Sequence, residues 1–378
     1  TSIVGYGSLF LKLFNKKVSI YDFGYLGIFG LIFSLFISYL SNLFIPHNQI
    51  FNSIFIIIGL VSFFHFILKT NFKKNFKDNL KIFYIVFLVI FIALLVFKNH
   101  DDFSYYHFVS TYILTQFDML IGLGQLNHGL RTPSSIFYIN SLFYLPIIEY
   151  YSFNFTAIFV LGFCNLILLN KINFFSLLQI KKSKKKIIKK DSSVYFSLLT
   201  FIFINVFFYR IGEHGTDRSA QILILILFNE ILLLFNRKPN KFDLNFKILP
   251  LIIFIISLKS FYIFYLAVFI PVYLYYLKYF KFSDLIMHNI LTKYSIIFVL
   301  IFLFVLSSYF FSSGCLIYPV KITCFENMSW SIPLMQVENM HIWYQQWSKA
   351  GAGPNFRISD PKEYIEHFNW VNNWFDIY

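Results

Sequence analysis

Apolar runs of about twenty residues, parted by short lysine-rich seams, recur from residue 22 to residue 311. An α-helix needs about 20 apolar residues to cross the hydrocarbon core of a bilayer. The pattern predicts spans at 22–44, 50–68, 82–97, 154–170, 193–209, 220–236 and 294–311. The run 248–277 is long for one span and carries Lys259 near its middle. A lysine in mid-membrane is costly, so this run reads as two short spans turning at Lys259. The count comes to about nine transmembrane helices, an all-α polytopic membrane protein. The run 134–148 is broken at Pro146 and too short for an ordinary span. It reads as an interfacial or re-entrant helix, N-capped by Ser134 or Ser135.

The seams set the expected orientation. Five lysines fall in 69–81 and eight in 171–190, and Lys12, Lys16 and Lys17 precede the first span. Cytoplasmic loops carry such an excess, which places the N-terminus inside and 98–152, 210–219 and 312–378 outside. The seam KKSKKKIIKK can also touch anionic headgroups. Composition agrees with a membrane protein: 58% of the 378 residues are hydrophobic and 13% charged, against about a quarter charged in a soluble domain. The mean hydropathy is +0.65. The net charge of +14 is spread over the seams and not gathered into a patch, which argues against nucleic acid as a partner. Heavy use of Phe, Ile, Asn, Lys and Tyr reads as the bias of an AT-rich bacterial genome, so the expected location is a bacterial inner membrane. No cleavable leader is visible at the start. Thr1 in place of Met and the aromatic-rich end at Tyr378 suggest a longer parent chain. Two regions are expected, a helical domain at 1–311 with an outer loop at 98–152, and an extracytoplasmic segment at 312–378.

The apolar pattern breaks at 98–135, KNHDDFSYYHFVSTYILTQFDMLIGLGQLNHGLRTPSS. Asp101 and Asp102 are adjacent there, followed by histidines, glycines and Arg131. A second break, EHGTDR, holds Glu213, His214, Asp217 and Arg218, and Lys259 makes a third. All three lie at predicted outer helix ends and can meet in one cavity if the helices bundle. A carboxylate against an apolar wall can serve as general base, which makes Asp101 and Asp102 the candidate catalytic pair. Arg218, Lys259 and Arg131 can hold a phosphate by charge-assisted bonds, with Glu213, His214 and Asp217 in support. Plainer readings stand beside these. One aspartate can cap a helix, EHGTDR can be a solvated ion-paired turn, and Lys259 can reach for headgroups. His100 and His107 with the acids could hold a divalent metal ion, although no HExxH-type spacing occurs. GLGQLNHG is a bend signal and follows no strand, so it is not a dinucleotide fingerprint.

Cys315 and Cys324 lie nine apart in SSGCLIYPVKITCF. An exported compartment permits a disulfide between them; two reduced thiols are the other reading. Cys164 falls within a span. Trp330, Trp343, Trp347, Trp370 and Trp374 suit a membrane-interface belt.

The order of these features resembles the GT-C superfamily of membrane glycosyltransferases. DDFSYYH matches the acidic residue those proteins carry early in a large outer loop, and 103–148 matches their surface helices. Here that loop follows the third predicted span, where many GT-C enzymes carry it after the first. The pieces DDFSYYH, GLGQLNHGLRTPSSIFYINSLF, EHGTDRSAQIL and SGCLIYPVKITCF also resemble a family of bacterial multi-spanning proteins found near polysaccharide genes. The resemblance implies a polyprenyl-phosphate-linked sugar as donor and a saccharide or lipid as acceptor, besides the bilayer itself. A polysaccharide polymerase or ligase shares this topology. A transporter or membrane scaffold is the third reading, but transporters place ionisable residues at mid-span, and here they crowd the helix ends.

Overall fold

In the computed structural model the described residues are 1–14, 22–69, 74–95, 102–172, 192–208, 216–236, 238–239, 244–287, 292–353 and 356–377. They divide into two compact units. One comprises Thr1–Met119 and Ser134–Val305, the other Leu120–Pro133 and Leu306–Tyr378.

The first unit is a helical membrane domain. Its main helices are α1 (Ser2–Leu13), α2 (Phe23–Asn42), α3 (Gln49–Lys69), α4 (Lys74–Leu95), α5 (Phe108–Gln116), α6 (Ser135–Ser141), α7 (Phe155–Ile172), α8 (Ser192–Phe207), α9 (Thr216–Phe235), α10 (Leu244–Leu258), α11 (Phe269–Leu277) and α12 (Lys293–Ser313). Every apolar run predicted to span is largely helical over its described residues. Among the described residues six helical stretches are long and apolar enough to cross a membrane: Phe23–Asn42, Gln49–Lys69, Glu149–Ile172, Thr216–Phe235, Ser260–Leu277 and Lys293–Ser313. α8 and α10 are shorter, and the first eight residues of α4 hold Lys74, Lys77, Asp78 and Lys81. The chain does turn at Lys259, whose extended backbone (φ −160°, ψ 140°) separates α10 from the 3-10 stretch Ser260–Val268.

α1 is not visible as an element in the apolar pattern, which marks its region only as a basic flank. It packs between α2 and α3 at backbone distance. A Cβ on Gly5 would come within 1.9 Å of the Gly59 carbonyl oxygen, and one on Gly30 within 1.9 Å of the Ile3 carbonyl oxygen. Small residues at such crossings let helices gain dispersion contact where lipid offers no hydrophobic drive. Tyr6 seals the contact by stacking on Phe55 (4.4 Å) and donating to its carbonyl (2.6 Å).

α6 differs from the expected surface helix. All seven of its residues are buried, so it is an enclosed arm and does not lie along a surface. A helix this short leaves most of its backbone groups unpaired, and side chains from other elements take them up. Asn52 donates to the Ser141 and Tyr144 carbonyls (2.8 and 3.0 Å) and to the His47 carbonyl (2.7 Å). Ser134 caps the start, accepting from the Ile136 amide. Ser38 donates to the Tyr138 carbonyl (2.6 Å), and the Tyr39 and Ser135 hydroxyls bond at 2.8 Å. His47, in the turn after α2, is fully buried with its ring between the Ser41 and Ser141 hydroxyls (2.9 and 2.7 Å).

α9 and α10 are ion-paired at both ends. At one end Asp217, in the first turn of α9, meets Lys259 just beyond α10 (2.7 Å). At the other, buried Glu230 of α9 meets Lys171 of α7 (2.5 Å) and Lys247 of α10 (3.8 Å). Tyr25 of α2 donates its hydroxyl to Glu230, and the Lys247 ammonium lies 3.8 Å over the Tyr25 ring. Ionisable groups inside a membrane domain persist when paired in this way.

The second unit is built around the Cys315–Cys324 disulfide (S–S 2.08 Å). Cys315, Tyr318, Ile332 and Val337 form its small core. α13 (Leu334–Trp347) follows, then a two-stranded ribbon pairing Ala352–Gly353 with Phe356–Arg357.

Candidate functional site

The segment that follows Asp102 folds as a π-helix over Phe103–His107 that runs straight into α5. Single π turns are rare and cluster at functional sites. Asp102 holds the N-cap position, yet its carboxylate makes no cap bond to that turn. Asp101 and His100 lie outside the described residues.

The π turn opens onto a narrow cleft of about 290 Å³, part of it open to solvent. His107, Thr111, Asn140, Asn154 and Thr216 supply its polar lining, and Phe103, Phe137 and Phe153 its aromatic walls. His107 and Thr216 are both buried. Thr216 begins α9, so the cleft joins the Asp102 segment to the Asp217 segment. Lys259 is drawn to the same region twice, once by its ion pair with Asp217 and once because the preceding Leu258 carbonyl accepts from Ser134 (2.6 Å). Of the three polar breaks, the described parts at Asp102–Met119, Thr216–Arg218 and Lys259 belong to the first unit.

The charges next to Thr216 in sequence, with Lys259, are unevenly used. The Asp217–Lys259 pair is half-exposed, at 36% and 43% of side-chain surface. Asp217 bonds Lys259 through Oδ2, while its Oδ1 is buried with no hydrogen-bond partner among the described residues. The same holds for Nη1 of Arg218. Arg218 makes no ion pair among the described residues, so it is a cation with donor capacity to spare. Glu213 and His214 lie outside the described residues.

Arg131 belongs elsewhere. It sits in the second unit with its guanidinium committed to the Gly124 carbonyl (3.1 Å), the Tyr318 hydroxyl (2.6 Å) and the Gln336 side chain (3.4 Å). These bonds tie Gly124, Tyr318 and Gln336 together within that unit. Nearby, burial and the Arg131 charge push the His128 imidazole down. Among the described residues no three His, Cys, Asp or Glu side chains converge as metal ligands. The Cys315–Cys324 pair is bonded, and Cys164 is a buried free thiol.

Sequence reasoning missed Thr216, Asn140 and Asn154 as lining groups, and the whole Glu230 cluster. Only the acid at 230 and the lysine at 171, each at an apolar helix end, gave a signal. A family model described as Domain of unknown function (DUF8201) matches residues 1–377. No curated protein and no solved structure matches the chain.

Proposed function

The chain belongs to the DUF8201 family, and from the chemistry around its cleft we propose that it is a GT-C-like membrane glycosyltransferase. On this reading it moves a sugar from a polyprenyl-phosphate carrier to a saccharide or lipid acceptor. It works at the outer face of a bacterial inner membrane, on about nine spans. The observation that carries the reading is a cleft lined by Phe103, His107 and Thr216, whose lining residues adjoin Asp102 and Asp217 in sequence, with Lys259 paired to Asp217 and Arg218, next to Asp217 in α9, making no ion pair among the described residues.

The roles follow from charge. Arg218 and Lys259 hold the carrier phosphate, whose negative charge grows as it leaves. An acceptor hydroxyl attacks the anomeric carbon, a new C–O bond forms, and the bond from that carbon to the phosphate oxygen breaks. The hydroxyl proton passes to Asp102, with Asp101 beside it in sequence, and the polyprenyl phosphate leaves with the bonding electrons. His107 lines the cleft and orients the acceptor. Glu213, His214 and Asp217 support the phosphate site.

The test is sugar transfer from a polyprenyl-phosphate donor by purified protein in lipid. Arg218→Met and Lys259→Met are expected to cut kcat/KM by about 100-fold or more, in line with loss of a charge-stabilising donor. Asp102→Asn is expected to abolish turnover while the donor still binds. Full turnover in the Arg218 and Asp102 variants would end the proposal.

A further inference from the structure

We infer that the second unit is seated in the lipid interface by an apolar patch formed from Leu120, Ile121, Leu126, Phe325 and Met328. All five are exposed, Leu126 at 76%. They come from two turns strapped side by side to the end of one helix. The Gly122 amide donates to the Phe311 carbonyl (2.8 Å), and the Phe325 amide to the Gly314 carbonyl (2.9 Å). Gln125 donates across to the Ser329 carbonyl (3.3 Å). The Phe310 ring meets both Phe325 (5.5 Å) and Trp330 (5.9 Å), and the Trp330 indole donates to the Phe310 carbonyl (3.2 Å).

That helix is α12, whose 21 residues are long and apolar enough to cross a membrane. At 1.5 Å per residue it measures about 31 Å, close to the thickness of a hydrocarbon core. Phe311 is two residues from its end, so the first turn is pinned about 3 Å inside that end. The interfacial layer is roughly 5–8 Å deep on each side of the core. With α12 across the bilayer, both turns therefore fall at headgroup level, where their exposed apolar side chains can leave water for the edge of the hydrocarbon. Exposed Gln125, Glu326 and Asn327 give the patch a polar border for the water side. Apolar surface continuous with a membrane helix fits lipid, not a folded partner. The inference stands apart from the catalytic reading and survives its failure.

Leu126→Cys carries the test. Cys164 is buried and Cys315 is bonded to Cys324, so the new thiol alone takes a bimane label. The full-length labelled protein is placed in phosphatidylcholine–phosphatidylglycerol vesicles. Lipid spin-labelled at carbon 5 is expected to quench the emission at least threefold more than aqueous iodide does, with Ile121→Cys behaving alike. Quenching by iodide alone would show a water-facing patch, and quenching by neither a patch covered by protein; both outcomes overturn the inference.

Discussion

His47 shows how one side chain can tie the fold to pH. It lies between two helices, outside the spanning stretches, and burial pushes its imidazole down to about 4 from the usual 6.5. The folded form therefore resists protonation that the unfolded chain accepts. The stability this neutral ring contributes is complete above pH 6.5 and is lost as pH falls from 6.5 towards 4. Over that window the loss is about 3 kcal/mol at 1.36 kcal/mol per pH unit. Thermal unfolding in detergent from pH 7.5 to 4 is expected to show the slope in wild type and to lack most of it in His47→Gln. Parallel curves for the two proteins would remove the role. At this scale Asp102, Asp217, Arg218 and Lys259 were legible because each is a polar residue where the apolar pattern stops. Thr216, Asn140 and Asn154 were not, since a hydroxyl or amide beside a helix end looks the same whether it lines a cleft or meets solvent. The charge of Arg131 was visible, but its partners Tyr318 and Gln336 were not, because they lie some two hundred residues away.

The α9–α10 pair shows what the apolar pattern can give for an element and where it stops. Both helices and the turn at Lys259 follow from hydropathy and one lysine. Their mutual register does not, because it rests on Glu230 meeting Lys247 and Lys171, a contact no local rule announces. The two ends differ in energy. Removing one partner of a buried pair leaves a stranded charge and costs about 3–5 kcal/mol, whereas a half-exposed pair contributes about 0–1 kcal/mol. Glu230→Gln is thus expected to lower stability sharply and Asp217→Asn hardly at all, read by denaturant unfolding of the detergent-solubilised protein. Equal losses at the two sites would contradict the difference in burial. α1 and α6 were the elements least legible from sequence. Each is short, and each owes its place to distant partners: Gly59 and Leu26 for α1, Asn52 and Ser38 for α6.

For the molecule as a whole, composition and lysine seams were sufficient to identify an all-α membrane protein, and hydropathy found most of its long helices. The place of Leu120–Pro133 in the second unit was hidden, because that segment joins a partner nearly two hundred residues further on. The tail unit has a small core and one disulfide across nine residues, a closure that contributes about 2–3 kcal/mol. Reduction should therefore loosen this unit selectively. Hydrogen exchange after treatment with dithiothreitol is expected to rise across residues 314–353 and to stay unchanged in α2 and α7. A uniform rise through both units would show that they unfold as one.

The unequal clasps of α9 and α10 have a mechanical consequence. A hairpin fastened firmly at one end and loosely at the other behaves as tweezers, with its pivot at Glu230 and its tips at Asp217 and Lys259. On the proposed reading, an anion that binds Lys259 competes with a single half-exposed carboxylate, an exchange that costs only about 0–1 kcal/mol.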